Sequence, residues 1–235
     1  MIVTSTEIQN NFGKYLELLK QEDIIISKNG KKVARLIKFY ENNMVQEEST
    51  IYSYEGMKVS YEEFMKIARE SEKRYEYIDG QVYLLSSPTV SHQKIIMVLS
   101  SILFFYFQDK ECIPLASPLD VTLYKDNNPN VVQPDLLVIC DQESIGDKDT
   151  YEGIPTLVIE VLSETSRSKD MIKKLDLYMQ GGVKEYWIVN PFSEEVNIYC
   201  FKERELEKMK TYKKDDKAAA QVFSGLGINL SELFV

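Results

Sequence analysis

Two apolar runs in the middle of the chain each hold one acid, and that pattern limits the fold more than any other feature. Residues 132–138 read Val-Gln-Pro-Asp-Leu-Leu-Val, and residues 156–163 read Thr-Leu-Val-Ile-Glu-Val-Leu-Ser. Runs this short and apolar predict buried strands. Asp135 opens the first, and Glu160 sits inside the second among Leu157, Val158, Ile159, Val161 and Leu162. An ionised carboxylate in such surroundings is costly unless it is paired or binds a cation. Two such acids on neighbouring strands would form an oxygen-rich site suited to a hard divalent ion.

The rest of the chain divides around this centre. Residues 1–39 predict a β-α-β-β module. Ile2-Val3 is a short strand, and Thr4 with Glu7 offers a capped helix start. Ile8, Phe12, Tyr15, Leu16 and Leu19 recur at helical spacing, and two strands meet at Asn29-Gly30, a strong hairpin signal. Residues 44–57 are polar and lack periodicity, as a linker would. The second domain, 58–235, opens on the capping box Ser60-Tyr61-Glu62-Glu63. A hairpin at Asp79-Gly80, a helix over 91–107, strands at 113–116 and 119–124 and a turn-rich loop at 125–130 follow. After the two acid-bearing strands come a helix over 166–180 and strands at 185–189, 195–201, 208–212 and 219–223. This order predicts an α+β fold with a mixed sheet flanked by helices.

Composition narrows the function classes. The content of 44% hydrophobic and 28% charged residues suits a soluble globular protein. No apolar run in the sequence approaches the roughly 18 residues of a membrane helix, and no signal peptide is visible. The expectation is a cytoplasmic protein with no membrane partner. Cys112, Cys140 and Cys200 lack metal-ligand spacing and are expected to be reduced thiols. A net charge of −9 argues against a general electrostatic nucleic-acid binder. Residues 1–43, however, carry seven Lys and Arg against five Asp and Glu, so the acidity belongs to the larger domain.

Two resemblances sharpen these readings. Residues 1–39 resemble the N-terminal half of the prevent-host-death/YefM-type antitoxins, through Ile2-Val3-Thr4-Ser5-Thr6-Glu7, Asn11-Phe12 and Ile26-Ser27-Lys28-Asn29-Gly30-Lys31-Lys32-Val33-Ala34. That resemblance implies a homodimer and contact with DNA; the plainer alternative is a dimerisation or packing element alone. Residues 58–234 resemble the Uma-two family of restriction-endonuclease-like, PD-(D/E)XK proteins. The likeness rests on Tyr75-Glu76-Tyr77-Ile78-Asp79-Gly80, His92, Gln133-Pro134-Asp135, Glu160-Val161-Leu162-Ser163, Asp170, Lys174-Leu175, Tyr178 and residues 182–189 in that order.

The second resemblance implies metal-dependent cleavage of phosphodiester bonds in nucleic acid, with DNA as the expected substrate. Asp135 and Glu160 would bind Mg²⁺, with Mn²⁺ as a substitute, and the Val161 carbonyl would add a third oxygen. The motif's Lys, two residues after the Glu, is replaced here by Leu162. Lys174 on the following helix is the expected substitute, with Asp170 and Tyr178 four residues to either side. Glu76 and His92 complete the candidate catalytic set. Trp187, Tyr186 and Tyr178 read as core. The alternative function is a DNA-binding, antitoxin-type regulator whose nuclease-like domain is inactive.

Overall fold

Local signals set the first turns of the chain. The computed structural model describes residues 2–18, 24–36, 54–146, 151–163 and 168–234. Its residues cluster into two units, Met1–Ile51 and Tyr52–Val235. In the first, strand β1 (Ile2–Thr4) leads into helix α1 (Ser5–Asn10), helix α2 (Phe12–Leu18), and strands β2 (Ile24–Lys28) and β3 (Lys31–Leu36). The Glu7 amide donates to Thr4 Oγ1 at 3.2 Å and the Thr4 amide donates to the Glu7 carboxylate at 2.9 Å, a complete capping box. The expected single helix is broken at Asn11, whose backbone (φ −136°, ψ 36°) leaves the helical region. Its side-chain amide bonds the Glu7 carbonyl, competing with the helix ladder. Leu19, placed in that helix by its spacing, lies outside the described residues, as does most of the expected linker.

Strand β1 runs parallel to β2, and β2 pairs antiparallel with β3. Asn29 and Gly30 join them with positive φ at both positions, as a tight hairpin turn requires. The core of this unit is Val3, Tyr15 and Ile24, while Ile2, Phe12, Leu16 and Val33 are exposed.

The larger unit begins with helix α3 (Tyr61–Glu70), capped by Ser60 and Glu63. Strands β4 (Tyr75–Ile78) and β5 (Gln81–Leu84), helix α4 (Val90–Phe107) and strand β6 (Ile113–Ala116) follow. Next come β7 (Val121–Lys125), β8 (Asn128–Val132), β9 (Leu136–Ile139), β10 (Leu157–Val161), helix α5 (Ser168–Gly181) and β11 (Glu185–Asn190). The chain closes with β12 (Glu195–Lys202), β13 (Glu205–Lys213), β14 (Lys217–Ala219), β15 (Gly227–Asn229) and helix α6 (Leu230–Leu233).

The main sheet has the order β13-β12-β11-β10-β9-β6, with β10 and β11 its parallel pair. A four-stranded sheet, β5-β4-β8-β7, stands beside it. This is the expected α+β, mixed-sheet architecture. The alternation of β10 sorts its side chains. Leu157, Ile159 and Val161 pack with Ile95, Leu99 and Leu103 of α4, and Val158 packs with Leu177 and Tyr178 of α5. Glu160, two residues on from Val158, shares the α5 face.

Four expectations are corrected. Residues 125–130 are a hairpin, because Asp126 and Asn127 both take positive φ and let β7 fold directly onto β8. The strand expected at 219–223 ends at Ala219, where β14 pairs with β15. Cys112 and Cys140 are bonded to each other, and only Cys200 is free. The register explains this: Ile113 faces Ile139, so the next pair along the same two strands is Cys112 and Cys140. Finally, α4 is long and apolar enough, by length and composition, to cross a membrane. Here its Ile95–Leu99–Leu103–Phe107 stripe is buried in the main core. Ile96 and Ile102 of the same helix are partly buried.

One further acid holds the C-terminal segment to the sheet. Glu185 on β11 is fully buried, and its carboxylate accepts from Trp187 Nε1 at 2.6 Å and from the amides of Gln221 and Val222 at 2.8 and 2.9 Å.

Candidate active site

The register between β9 and β10 brings the two acids together. Leu136 faces Ile159, so Asp135 and Glu160 are the next opposed pair. The backbone ladder stops there, and a side chain continues it: the Val161 amide donates to Asp135 Oδ2 at 2.8 Å. His92, in the first turn of α4, places Nε2 3.3 Å from the same oxygen. Its backbone amide is capped by Thr89 Oγ1, so the helix start fixes the imidazole's approach.

Glu160 Oε1 accepts two hydrogen bonds, from Lys174 Nζ at 2.8 Å and from the Tyr178 hydroxyl at 2.7 Å. Lys174 also donates to Glu76 Oε1 at 2.8 Å, and that oxygen takes the Gln133 amide at 2.9 Å. A continuous chain therefore runs from Gln133 through Glu76, Lys174 and Glu160 to Tyr178. Each metal-candidate acid has one oxygen tethered in this way. Among the described residues, Asp135 Oδ1 and Glu160 Oε2 form no hydrogen bond.

The electrostatics follow from burial. Burial pushes Glu160 above the usual carboxylate range, to about 7; Lys174 opposes the rise, and Asp135 and Glu76 add to it. Burial alone would lower Lys174, but the charges of Glu160 and Glu76 outweigh it and hold the amine above its ordinary value. Lys174 is therefore an ammonium at neutral pH. The hydrogen bond to Asp135 raises His92, against the opposing effect of burial. Burial and Glu160 raise Tyr178 well above a normal phenol, so it stays a donor.

The donor set fits a hard divalent ion: two carboxylate oxygens without a hydrogen bond and a backbone carbonyl beside them, all oxygen. Glu76, Asp135 and Glu160 line the cavity with Lys174 and His92, and Glu55, Arg74 and Lys173 complete its charged lining. Among the described residues no group of three or more His, Cys, Asp and Glu side chains is placed to hold a metal ion. The set is thus two acids and a carbonyl, with further positions left to water.

All five candidate catalytic residues, Glu76, His92, Asp135, Glu160 and Lys174, line one cavity of about 600 Å³. Lys174 pairs with Glu76 and Glu160, and the side chain of Asp170 lies outside the described residues. Lys173 also lines the cavity, and Arg167 and the Lys169 side chain lie outside the described residues. Sequence reasoning missed Tyr178 as a ligand-holding residue, because its spacing on α5 is that of a core side chain, which it also is. It missed Arg74 in the cavity wall altogether.

A family model described as "Uma2: Putative restriction endonuclease" matches residues 61–231. A second, described as "Antitoxin Phd_YefM, type II toxin-antitoxin system", matches residues 1–73. Two proteins of Synechocystis sp. align with the chain. "Uncharacterized protein slr1290" is 29% identical over 145 residues, 60% of this chain and 74% of its own length. "Uncharacterized protein sll1609" is 22% identical over 139 residues, 58% of this chain and 77% of its own length. The crystal structure of a putative nuclease belonging to DUF820 from Anabaena variabilis shares the fold, with a TM-score of 0.64 at 20% identity over 75% of this chain and 97% of that one.

Proposed function

The chain belongs to the Uma2 family of putative restriction endonucleases, and from that premise we propose that its larger unit is a metal-dependent nuclease, joined to an antitoxin-like N-terminal module. Its substrate on this reading is nucleic acid, with DNA expected. The observation that carries the proposal is the opposed pair Asp135 and Glu160, each with one oxygen tethered and one without a hydrogen bond.

Asp135, Glu160 and the Val161 carbonyl would hold Mg²⁺ or Mn²⁺. A bound ion of this kind supplies Lewis acidity to the phosphoryl oxygen and lowers the pKa of water near it. The chain's own groups do the rest. Lys174, kept protonated between Glu76 and Glu160, supplies positive charge and orients the attacking water; it is a donor and not the base. Tyr178 fixes Glu160, and His92 fixes Asp135. Hydrolysis forms one bond from water oxygen to phosphorus and breaks one ester P–O bond, the water losing a proton and the leaving oxygen gaining one.

The test is cleavage of several nucleic acids by wild type and Glu160→Ala with Mg²⁺ or Mn²⁺. Wild type should cut, and the variant should lose about 100-fold or more, on the scale of removing one essential charge-stabilising group. Equal residual cutting by both would assign the activity to a contaminant. Cutting by neither would favour the second reading, a DNA-binding regulator with an inactive nuclease-like body. That reading is supported by the match to the antitoxin model over 1–73 and by the acidity of the larger domain.

A further inference from the structure

We infer that the cavity accepts a single nucleic-acid strand, one or two nucleotides deep, and not continuous duplex; this rests on the nuclease reading above. Three observations carry it. The acids are recessed: the side chains of Asp135 and Glu160 are 18% and 12% exposed. The space in front of them, about 600 Å³, is of the size that encloses a small ligand, roughly 300–1,000 Å³. A duplex presents its phosphates on a broad, rigid cylinder, whereas a lone strand can be drawn in.

The walls are the second observation. Leu84, Leu85, Pro88, Pro118 and Leu162 line the same cavity as the acids. Apolar walls suit base faces, which single strands expose and duplexes hide by stacking.

Charge is the third. Among the described residues lining the cavity, the Lys and Arg side chains are Arg74, Lys173 and Lys174, against four carboxylates, Glu55, Glu76, Asp135 and Glu160. Lys174 is bound to two of those acids, and Lys173 donates to the Tyr83 hydroxyl. Such a lining engages few phosphates. A duplex binder that engages about 6–10 of them loses affinity steeply with salt. With Arg74 and Lys173 as the outer contacts, the expected slope of log(kcat/KM) against log[salt] is about −1.4, from roughly −0.7 per phosphate.

The experiment uses the full chain with Mg²⁺ and with Mn²⁺, and one labelled sequence as single-stranded DNA, single-stranded RNA and duplex DNA, over a salt series. Glu160→Gln controls for contamination. Cleavage of a single strand at least about tenfold faster than duplex, with a shallow salt slope, supports the inference; the DNA and RNA arms decide the sugar. Arg74→Ala should raise KM several-fold with little change in kcat, and Arg74→Lys should restore most of it. Duplex cut within threefold of single strand, or a slope steeper than about −5, overturns the substrate class and leaves the nuclease intact. No cutting of any substrate with either metal overturns both.

Discussion

At Glu160 a carboxylate is held where burial penalises its charge, and that has a consequence for stability. A carboxyl whose folded pKa is raised from 4.5 to about 7 stabilises the fold fully below the lower value and loses that contribution as pH rises through the upper one. His92, also raised, acts in the same sense above its ordinary value. Metal-stripped protein should therefore lose about 1–3 kcal/mol between about pH 4.5 and 7, measured by denaturant unfolding. Glu160→Gln should flatten that dependence, and Mg²⁺ should restore stability at the upper end. Parallel curves for wild type and variant would refute the assignment. The same cost made this residue legible in the sequence: an acid among five aliphatic neighbours asks for a partner. Tyr178 gave no such signal. Its ring satisfies the helix periodicity whether or not its hydroxyl bonds anything, and only the docking of α5 on β10 supplies the acceptor.

Among the elements, those announced by local chemistry were readable. The capping boxes at Thr4 and Ser60 and the turns at Asn29-Gly30 and Asp79-Gly80 formed where their residues indicate. The hairpin at Asp126-Asn127 was obscured, because a run of Asp, Asn and Pro resembles a loop until its strands pair. The Cys112–Cys140 bond was hidden for a related reason: it depends on β6 lying beside β9, a pairing between strands separated by β7 and β8. Glu185 belongs to this scale too, since its carboxylate is what the segment after β14 is tied to. Glu185→Ala should cost about 2–4 kcal/mol, because it strips the acceptor from one buried and two part-buried donors. Hydrogen exchange should show the loss concentrated in residues 217–234; uniform loss across the main sheet would contradict that localisation.

For the whole molecule, the chain of contacts Gln133–Glu76–Lys174–Glu160–Tyr178 draws on both sheets, β4 from one and β10 from the other. The N-terminal unit is a separate matter. Among its described residues the buried core is Val3, Tyr15 and Ile24, and Ile2, Phe12, Leu16 and Val33 are exposed. On the proposal that this unit dimerises the protein, deleting residues 1–43 should convert a dimer into a monomer by light scattering, with the mass of the remainder otherwise as expected. An assembly state indifferent to the deletion would count against it. The larger unit carries a different implication. Since a single ammonium clasps an acid from each sheet, neither sheet alone carries the proposed centre. On the nuclease proposal, any substitution that loosens the seam between them should silence the chemistry well before the protein melts, so loss of activity would be the early warning of a fold coming apart.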